Sequence, residues 1–144
     1  MKQMIGAIAL VVPEYDQGID FYVGKLGFDL VEDTHLGGGK RWVLVAPKGS
    51  SETRLLLAQA DGDDQHAAIG NQTGGRVFLF LHTDNFDRDH QAMLSTGVTF
   101  LETPRHEAYG KVAVFQDPFG NKWDLIDKDS RTVELQLQDT QKTI

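Results

Sequence analysis

Several side chains in this sequence are of types that could do acid–base or binding chemistry. His82 ends an apolar run that begins after Arg76, and an imidazole that titrates near neutrality could act there as a general base or orient a ligand. Asp124 stands within the apolar run 122–126, where a carboxylate could accept a hydrogen bond in a pocket. The simpler interpretation of His82 is a surface histidine, and the alternative for Asp124 is an anchor for a neighbouring loop.

A second group of candidates is a polar segment, 105–110, followed directly by an apolar strand pattern. Arg105, His106 and Tyr109 are candidate ligand contacts there, and a guanidinium suits a carboxylate or phosphate group. The alternative is a solvated loop. Phe78 and Phe80 lie on the run that ends at His82, and they either stack on a ligand or belong to the core.

Covalent catalysis finds little support in the composition. The chain has no cysteine, which excludes thiolate nucleophiles, disulfides and cysteine-bound metals. Its serines fall in predicted turns, helix ends or the tail, without an adjacent base that the sequence identifies. The glycine run 37–39 before Lys40 lacks the Ser/Thr and the helix of a phosphate-binding loop. The run 61–64 lacks the ligand spacing of a calcium loop.

Charge limits the expected partners. A chain of 144 residues has the size of one domain. Its net charge of −7 opposes both nucleic acids and anionic membrane surfaces, so we expect no nucleic-acid and no membrane partner. The longest apolar run, 5–12, is too short to span a bilayer. A cytoplasmic protein is expected.

The elements that must position these residues occur in a repeated order. Residues 7–57 and 78–125 run through the same pattern, and the quartets 46–49 and 117–120 coincide at an offset of 71 positions. Each copy predicts a strand, a helix and three further strands. We place module one at about 4–59, a polar connection at 60–75, module two at about 76–127 and a polar tail at 128–144.

Helix patterns define the apolar face of each module. Tyr15, Ile19, Tyr22 and Leu26 follow the spacing of one buried stripe, and Gly27 stands where a left-handed C-cap is favoured.

The second helix is expected to begin at a cap formed by Thr83 or Asp84. Its predicted apolar face consists of Phe86, Met93 and Leu94.

Two other features need a structural test. His35 and Trp42, near the glycine hairpin, could form part of a lid, but packing in the core is the simpler interpretation of Trp42. In the tail, Val133, Leu135 and Leu137 alternate, which predicts a short extra strand or a subunit contact.

Three motifs resemble the vicinal oxygen chelate superfamily, which includes glyoxalase I, bleomycin-resistance proteins, fosfomycin-resistance thiol transferases and extradiol dioxygenases. They are Ile8-Ala9-Leu10-Val11-Val12, Asp20-Phe21-Tyr22 with Lys25-Leu26-Gly27-Phe28, and the segment 117–125. The resemblance implies an α+β fold in which two β-α-β-β-β modules form a half-barrel around a cavity. It also implies a homodimer, and it sets the segment 105–110 beside the cavity mouth.

The same resemblance aligns the four metal-ligand positions of metal-dependent relatives with Ala7, Leu56, Phe78 and Asp124. Only Asp124 could bind a cation, because transition metals usually take three or more protein ligands of the imidazole, carboxylate or thiolate type. Val11 stands where glyoxalases carry an arginine that binds glutathione. We therefore expect no metal and no other cofactor.

The implied function is the binding of a small organic ligand in an apolar cavity, with or without a reaction. If Phe78 faces that cavity, strand alternation brings Phe80 and His82 to the same face. The alternative is a metal-dependent lyase, isomerase or dioxygenase of the superfamily with displaced ligands. A purely structural or interaction role is a third possibility.

Overall fold

Two β-sheets, each with a helix packed against one face, make up the fold, and the computed structural model describes residues 2–128. This confirms the predicted α+β class. The described residues form two units: 2–75 together with the turn Asp117–Asn121, and 76–116 together with 122–128. The strands are β1 Ala7–Val12, β2 Asp29–Gly37, β3 Lys40–Ala46, β4 Arg54–Gln59, β5 Val77–His82, β6 Thr99–Phe100, β7 Arg105–Glu107, β8 Gly110–Gln116 and β9 Lys122–Lys128. The helices are α1 Tyr15–Ile19, α2 Asp63–Ala68 and α3 Phe86–Ser95.

The first sheet has the order β1-β4-β3-β2, with β1 parallel to β4 and the other pairs antiparallel. Alternation along the strands sends one set of side chains toward α1. Leu10, Val43, Val45 and Leu57 are fully buried. The residues between them on the same strands face the other side of the sheet, as the period of a strand requires.

The first helix is wider than the sequence predicts. After Ile19 it continues as a π-helical turn, Asp20–Lys25, in which the Leu26 N–H donates to the Phe21 carbonyl. The extra residue per turn buries Phe21 and Tyr22 side by side, whereas regular spacing predicts only Tyr22. Gly27 ends the segment at φ +83°, which confirms the predicted left-handed cap.

A buried polar cluster holds the turn Asp117–Asn121 within the first unit. The Tyr22 hydroxyl donates to Asp117 Oδ2 at 2.6 Å, and the Asn121 side-chain amide donates to the same oxygen at 2.7 Å. Asp117 Oδ1 accepts the backbone N–H groups of residues 119–121. Both carboxylate oxygens are therefore satisfied, which makes the burial of this charge tolerable.

The second sheet has the order β5-β9-β8-β6, and β7 adds a short antiparallel pairing to β8. An aromatic series joins the sheet to α3: Phe86 stacks on His90, His90 meets Phe100 edge-on, and Phe115 stacks on Trp123 at a centroid distance of 5.7 Å. The face of the sheet that carries Phe115 and Trp123 is therefore the face that packs against α3.

Three local expectations for the helices are corrected. The cap of α3 is Asn85, whose side chain accepts the Arg88 N–H, rather than Thr83 or Asp84. Leu94 is 48% exposed, because it lies about 100° around the helix from the buried Met93. The segment 60–75, interpreted from the sequence only as a polar connection between the modules, contains α2. This helix buries none of its residues, so it leaves no apolar stripe in the sequence.

Two further expectations concern Trp42 and the tail. Trp42 is 40% exposed and is not a core residue. The predicted strand or contact at Val133, Leu135 and Leu137 lies outside the described residues. Within the described residues, no helix is long and apolar enough to cross a membrane.

Candidate functional site

Asp124 lies at the centre of the face of the second sheet that is opposite to Phe115 and Trp123. Its register partners are Phe80 on β5 and Val114 on β8, and residues that pair across neighbouring strands share a face. Glu102 lies at the edge of β8 beside this face, where its Oε1 accepts the Val114 N–H at 3.0 Å. Arg105 joins it from β7. These five residues are called the Asp124 face below.

The Asp124 carboxylate is poorly solvated for a charged group. Its Oδ1 atom is buried and has no hydrogen-bond partner among residues 2–128. Burial raises the pKa of Asp124 above its ordinary value, the positive charge of Arg105 lowers it, and the negative charge of Glu102 raises it. A buried acceptor without a donor costs free energy, so a donor brought by a ligand would be favourable here.

Arg105 is already engaged by two carboxylates. Its Nε donates to both oxygens of Glu102 at 3.0 Å, and its Nη1 pairs with Glu107 Oε1. These contacts hold the guanidinium away from Asp124 as a hydrogen-bond partner. Arg105 acts on Asp124 only through its field.

The aromatic candidates on β5 differ in their surroundings. Phe80 is 59% exposed beside Asp124, so its ring is available to a ligand. Phe78 is half-buried. It lies at a β-bulge, since the register with β9 shifts between Val77 and Leu79. The bulge interrupts the alternation that would group Phe78 with Phe80. His82 is exposed at the end of the strand.

The segment 105–110 does not present its candidates together. Arg105 pairs with Val112 and His106 pairs with Lys111, so the two neighbours point to opposite faces. His106 lines a groove of 540 Å³ with Asp87 and Lys111 at the start of α3.

That groove is held by an ion pair. Lys111 Nζ lies 2.7 Å from Asp87 Oδ1, and this hydrogen bond lowers the pKa of Asp87. Tyr109 is half-buried in the turn before β8.

The first unit has a cavity of its own, 660 Å³ in volume, between the β2–β3 hairpin and α2. Trp42, Leu56 and Ala58 supply apolar lining, and Lys40 and Gln59 supply polar lining. Arg41 also lines this cavity and is paired with Asp16 at 2.8 Å and with Asp33 at 2.6 Å, so the lining is both apolar and charged.

The residues at the family's four ligand positions do not fit a divalent metal ion. Ala7 and Leu56 lie in the first unit, and Phe78 and Asp124 lie in the second; only the last offers an oxygen. Among residues 2–128, no group of three or more His, Cys, Asp or Glu side chains could hold a metal ion.

Sequence reasoning overlooked Glu102 and Glu107. Their spacing in the sequence could have indicated both, since Glu102 lies three residues before Arg105 and Glu107 lies two residues after it. On a strand, residues i and i+2 share a face, so Glu107 can pair with Arg105. Glu102 reaches it because the segment 101–104 bends between β6 and β7.

Comparison with known proteins identifies relatives over most of the chain. The model of the glyoxalase/bleomycin resistance protein/dioxygenase superfamily matches residues 4–125. A protein of Shewanella frigidimarina is 57% identical over 127 residues, which are 88% of this chain and 94% of that protein.

Two solved structures are similar in both fold and sequence. The crystal structure of UcmS2 has a TM-score of 0.77 and 28% identity, and the match covers 89% of this chain and all of that one. The structure of TnmS3, described as an antibiotic binding protein from Streptomyces sp. CB03234, has a TM-score of 0.70 and 30% identity, with 90% of this chain and 98% of that one covered.

Proposed function

The chain belongs to the glyoxalase/bleomycin resistance protein/dioxygenase superfamily, and from that premise we propose that it binds a small organic molecule on the Asp124 face without a bound metal ion. TnmS3 supports the ligand class, because it is an antibiotic binding protein that resembles this chain in sequence and fold. Binding without a metal ion is supported by the residues at the metal-ligand positions of the metal-dependent relatives, because three of the four are apolar in this chain.

One observation carries the proposal: an exposed aromatic ring stands beside a half-buried carboxylate that has one unpaired oxygen, on the face of the sheet opposite to α3. Phe80 is 59% exposed, and Asp124 Oδ1 lacks a partner within residues 2–128. Ligand sites typically combine apolar and aromatic walls with a few placed polar groups. Phe80 and Val114 would supply the apolar contact, and Asp124 would fix the orientation of the ligand.

The binding function is tested by removing the aromatic ring. We expect Phe80→Ala to weaken binding of a neutral aromatic probe, 1-naphthalenemethanol, by about tenfold, since an aromatic contact with its buried area is worth roughly 1–2 kcal/mol. The affinity is measured by following amide chemical shifts during titration. Leu94→Ala is the matched control, because Leu94 is a large apolar side chain of similar exposure on α3.

Equal weakening by the two variants, or no saturable shift at Phe80, Val114 and Asp124 in the wild-type protein, would refute binding on this face. The metal-dependent alternative is tested separately by calorimetric titration of chelator-treated protein with nickel and zinc. Tight stoichiometric binding of either ion would overturn the metal-free part of the proposal.

The proposal also includes a cytoplasmic homodimer. All nine residues of β2 are exposed at an edge of the first sheet, and Leu30, Val31 and Leu36 are 43%, 42% and 53% exposed. An exposed apolar edge strand favours pairing with a second copy. Sedimentation equilibrium tests the dimer, and a concentration-independent monomer mass would exclude it. Cell fractionation tests the location.

A further inference from the structure

We propose that the molecule bound on the Asp124 face carries a hydrogen-bond donor, and that a protonated amine is preferred over an alcohol and an alcohol over a carboxylate. The inference rests on the proposed function and specifies the chemical class of the ligand. Asp124 is the residue that sets this specificity, and Arg105 does not serve as an anion receptor.

Arg105, a cation beside Asp124, is already bound by two carboxylates. Its Nε is shared between the two oxygens of Glu102, and its Nη1 is paired with Glu107. The two carboxylates already neutralise the charge of this guanidinium, and they surround any approaching anion with negative charge. Arg105 is therefore less attractive to a carboxylate or phosphate than a free guanidinium would be.

Glu102 is held beside Arg105 by a second contact, to the backbone of β8. Its Oε1 also accepts the Val114 N–H at 3.0 Å, so the backbone of β8, the neighbour of the strand that carries Asp124, fixes this carboxylate. The side chain of Glu102 is 28% exposed. Its negative charge contributes to the raised pKa of Asp124.

The ionised groups around the site carry a net negative charge. Asp124, Glu102 and Glu107 bring three carboxylates, and Arg105 and Lys122 bring two cations, Lys122 because it lies two residues before Asp124 on β9. The net charge of these five ionised groups is therefore −1, so the local field is negative. A cationic group is attracted to such a field and an anionic group is repelled, more strongly where apolar neighbours exclude water.

The Asp124 carboxylate is a hydrogen-bond acceptor on this face. An ammonium, hydroxyl or amide N–H group of the ligand could donate to the half-buried Asp124 carboxylate, whose inner oxygen Oδ1 has no donor among residues 2–128. A ligand that offers only acceptors would leave this oxygen buried and unpaired. Hydrogen bonds to a charged partner are stronger than neutral ones, so the ammonium ranks above the hydroxyl.

Three probes of equal size separate these classes: 1-naphthylmethylamine, 1-naphthalenemethanol and 1-naphthoate. Each is titrated into the full chain near neutral pH and at low ionic strength, with amide chemical shifts as the readout. We expect the amine to bind about tenfold more tightly than the alcohol, and the alcohol more tightly than the naphthoate.

Asp124→Asn keeps the shape of the side chain and removes its charge. We expect it to reduce the affinity for the amine about tenfold and to leave the naphthoate unchanged or improved. Glu52→Gln, an exposed carboxylate of the first unit, makes the same change in net charge and should alter none of the three affinities. A merely structural effect of Asp124→Asn would weaken all three probes together.

The outcomes are distinguishable. Naphthoate binding as tightly as the amine, or an amine-to-alcohol ratio unchanged by Asp124→Asn, would overturn the inference while the proposed function stands. If none of the three probes binds, the proposed function fails and the inference falls with it.

Discussion

Asp124 is expected to serve ligand binding at a cost to stability. Burial raises the pKa of its carboxyl, which means that the folded state disfavours the ionised form. That cost is present above the folded-state pKa and disappears as the pH falls through it toward the ordinary value of 3.8. Asp124→Asn removes the charge, so we expect the variant to be more stable near neutral pH. The gain should not exceed about 1 kcal/mol, because solvent reaches part of the side chain.

The check is thermal unfolding of wild type and Asp124→Asn followed by circular dichroism near neutral pH and near pH 4. The variant should melt higher at neutral pH, and the two curves should converge in acid. A variant that melts lower at neutral pH would show that the carboxylate has a stabilising partner.

Tyr22 provides the opposite case, a polar contact that stabilises the fold. Its hydroxyl donates to Asp117 Oδ2 at 2.6 Å in a fully buried setting. Tyr22→Phe should therefore lower the free energy of unfolding by about 1–2 kcal/mol, measured by urea denaturation. Tyr15→Phe is the control, because its hydroxyl accepts a longer bond of 3.2 Å from the Arg41 N–H. Equal losses in the two variants would contradict the special strength of the Asp117 contact.

At this scale the sequence identifies side chains better than it identifies their partners. Asp124 is found because a carboxylate within an apolar strand is unusual. The Glu102–Arg105–Glu107 group is local and could have been predicted from charge spacing alone. The bond between Tyr22 and Asp117 joins residues 95 positions apart, and no local pattern predicts it.

At the scale of elements, a close backbone contact within the first unit makes one glycine indispensable. A Cβ on Gly70 would stand 1.9 Å from the Phe119 carbonyl oxygen, and Gly70 has a φ of +70°. We expect Gly70→Ala to cost about 3 kcal/mol or more, since backbone must move to admit the methyl group.

Gly74→Ala separates the contact from the backbone conformation. Gly74 has nearly the same φ, +68°, and nothing lies within 4 Å of the position a Cβ would take. Gly74→Ala should therefore cost only the roughly 1 kcal/mol of placing an alanine in the left-handed conformation. Chemical denaturation of both variants is the measurement. Equal destabilisation would mean that the turn does not approach Gly70 as closely as described.

The repeat explains why element order was predictable while several details were not. Strands with buried and exposed alternation, and glycines such as Gly27 at helix ends, leave strong local signals. The helix α2 leaves none because it buries no residue. The π-helical turn and the bulge at Phe78 each add one residue to a regular pattern, and packing rather than composition decides where that residue goes.

At the scale of the whole molecule, the net charge of −7 agrees in sign with the field inferred at Asp124. Long-range attraction between exposed charges is screened by salt, with a Debye length of about 8 Å at physiological ionic strength. We therefore expect added sodium chloride to weaken binding of 1-naphthylmethylamine and to leave 1-naphthalenemethanol nearly unaffected. The same titrations at low and high salt are the measurement, and parallel weakening of both probes would argue against a charge-based preference.

Metal-free binding of an organic ligand is tested most directly by one titration. Chelator-treated protein is titrated with 1-naphthalenemethanol while amide chemical shifts are recorded. We predict saturable shifts centred on Phe80, Val114 and Asp124, unchanged when zinc or nickel is then added. Shifts that appear only after a metal ion is supplied would contradict metal-free binding on the Asp124 face.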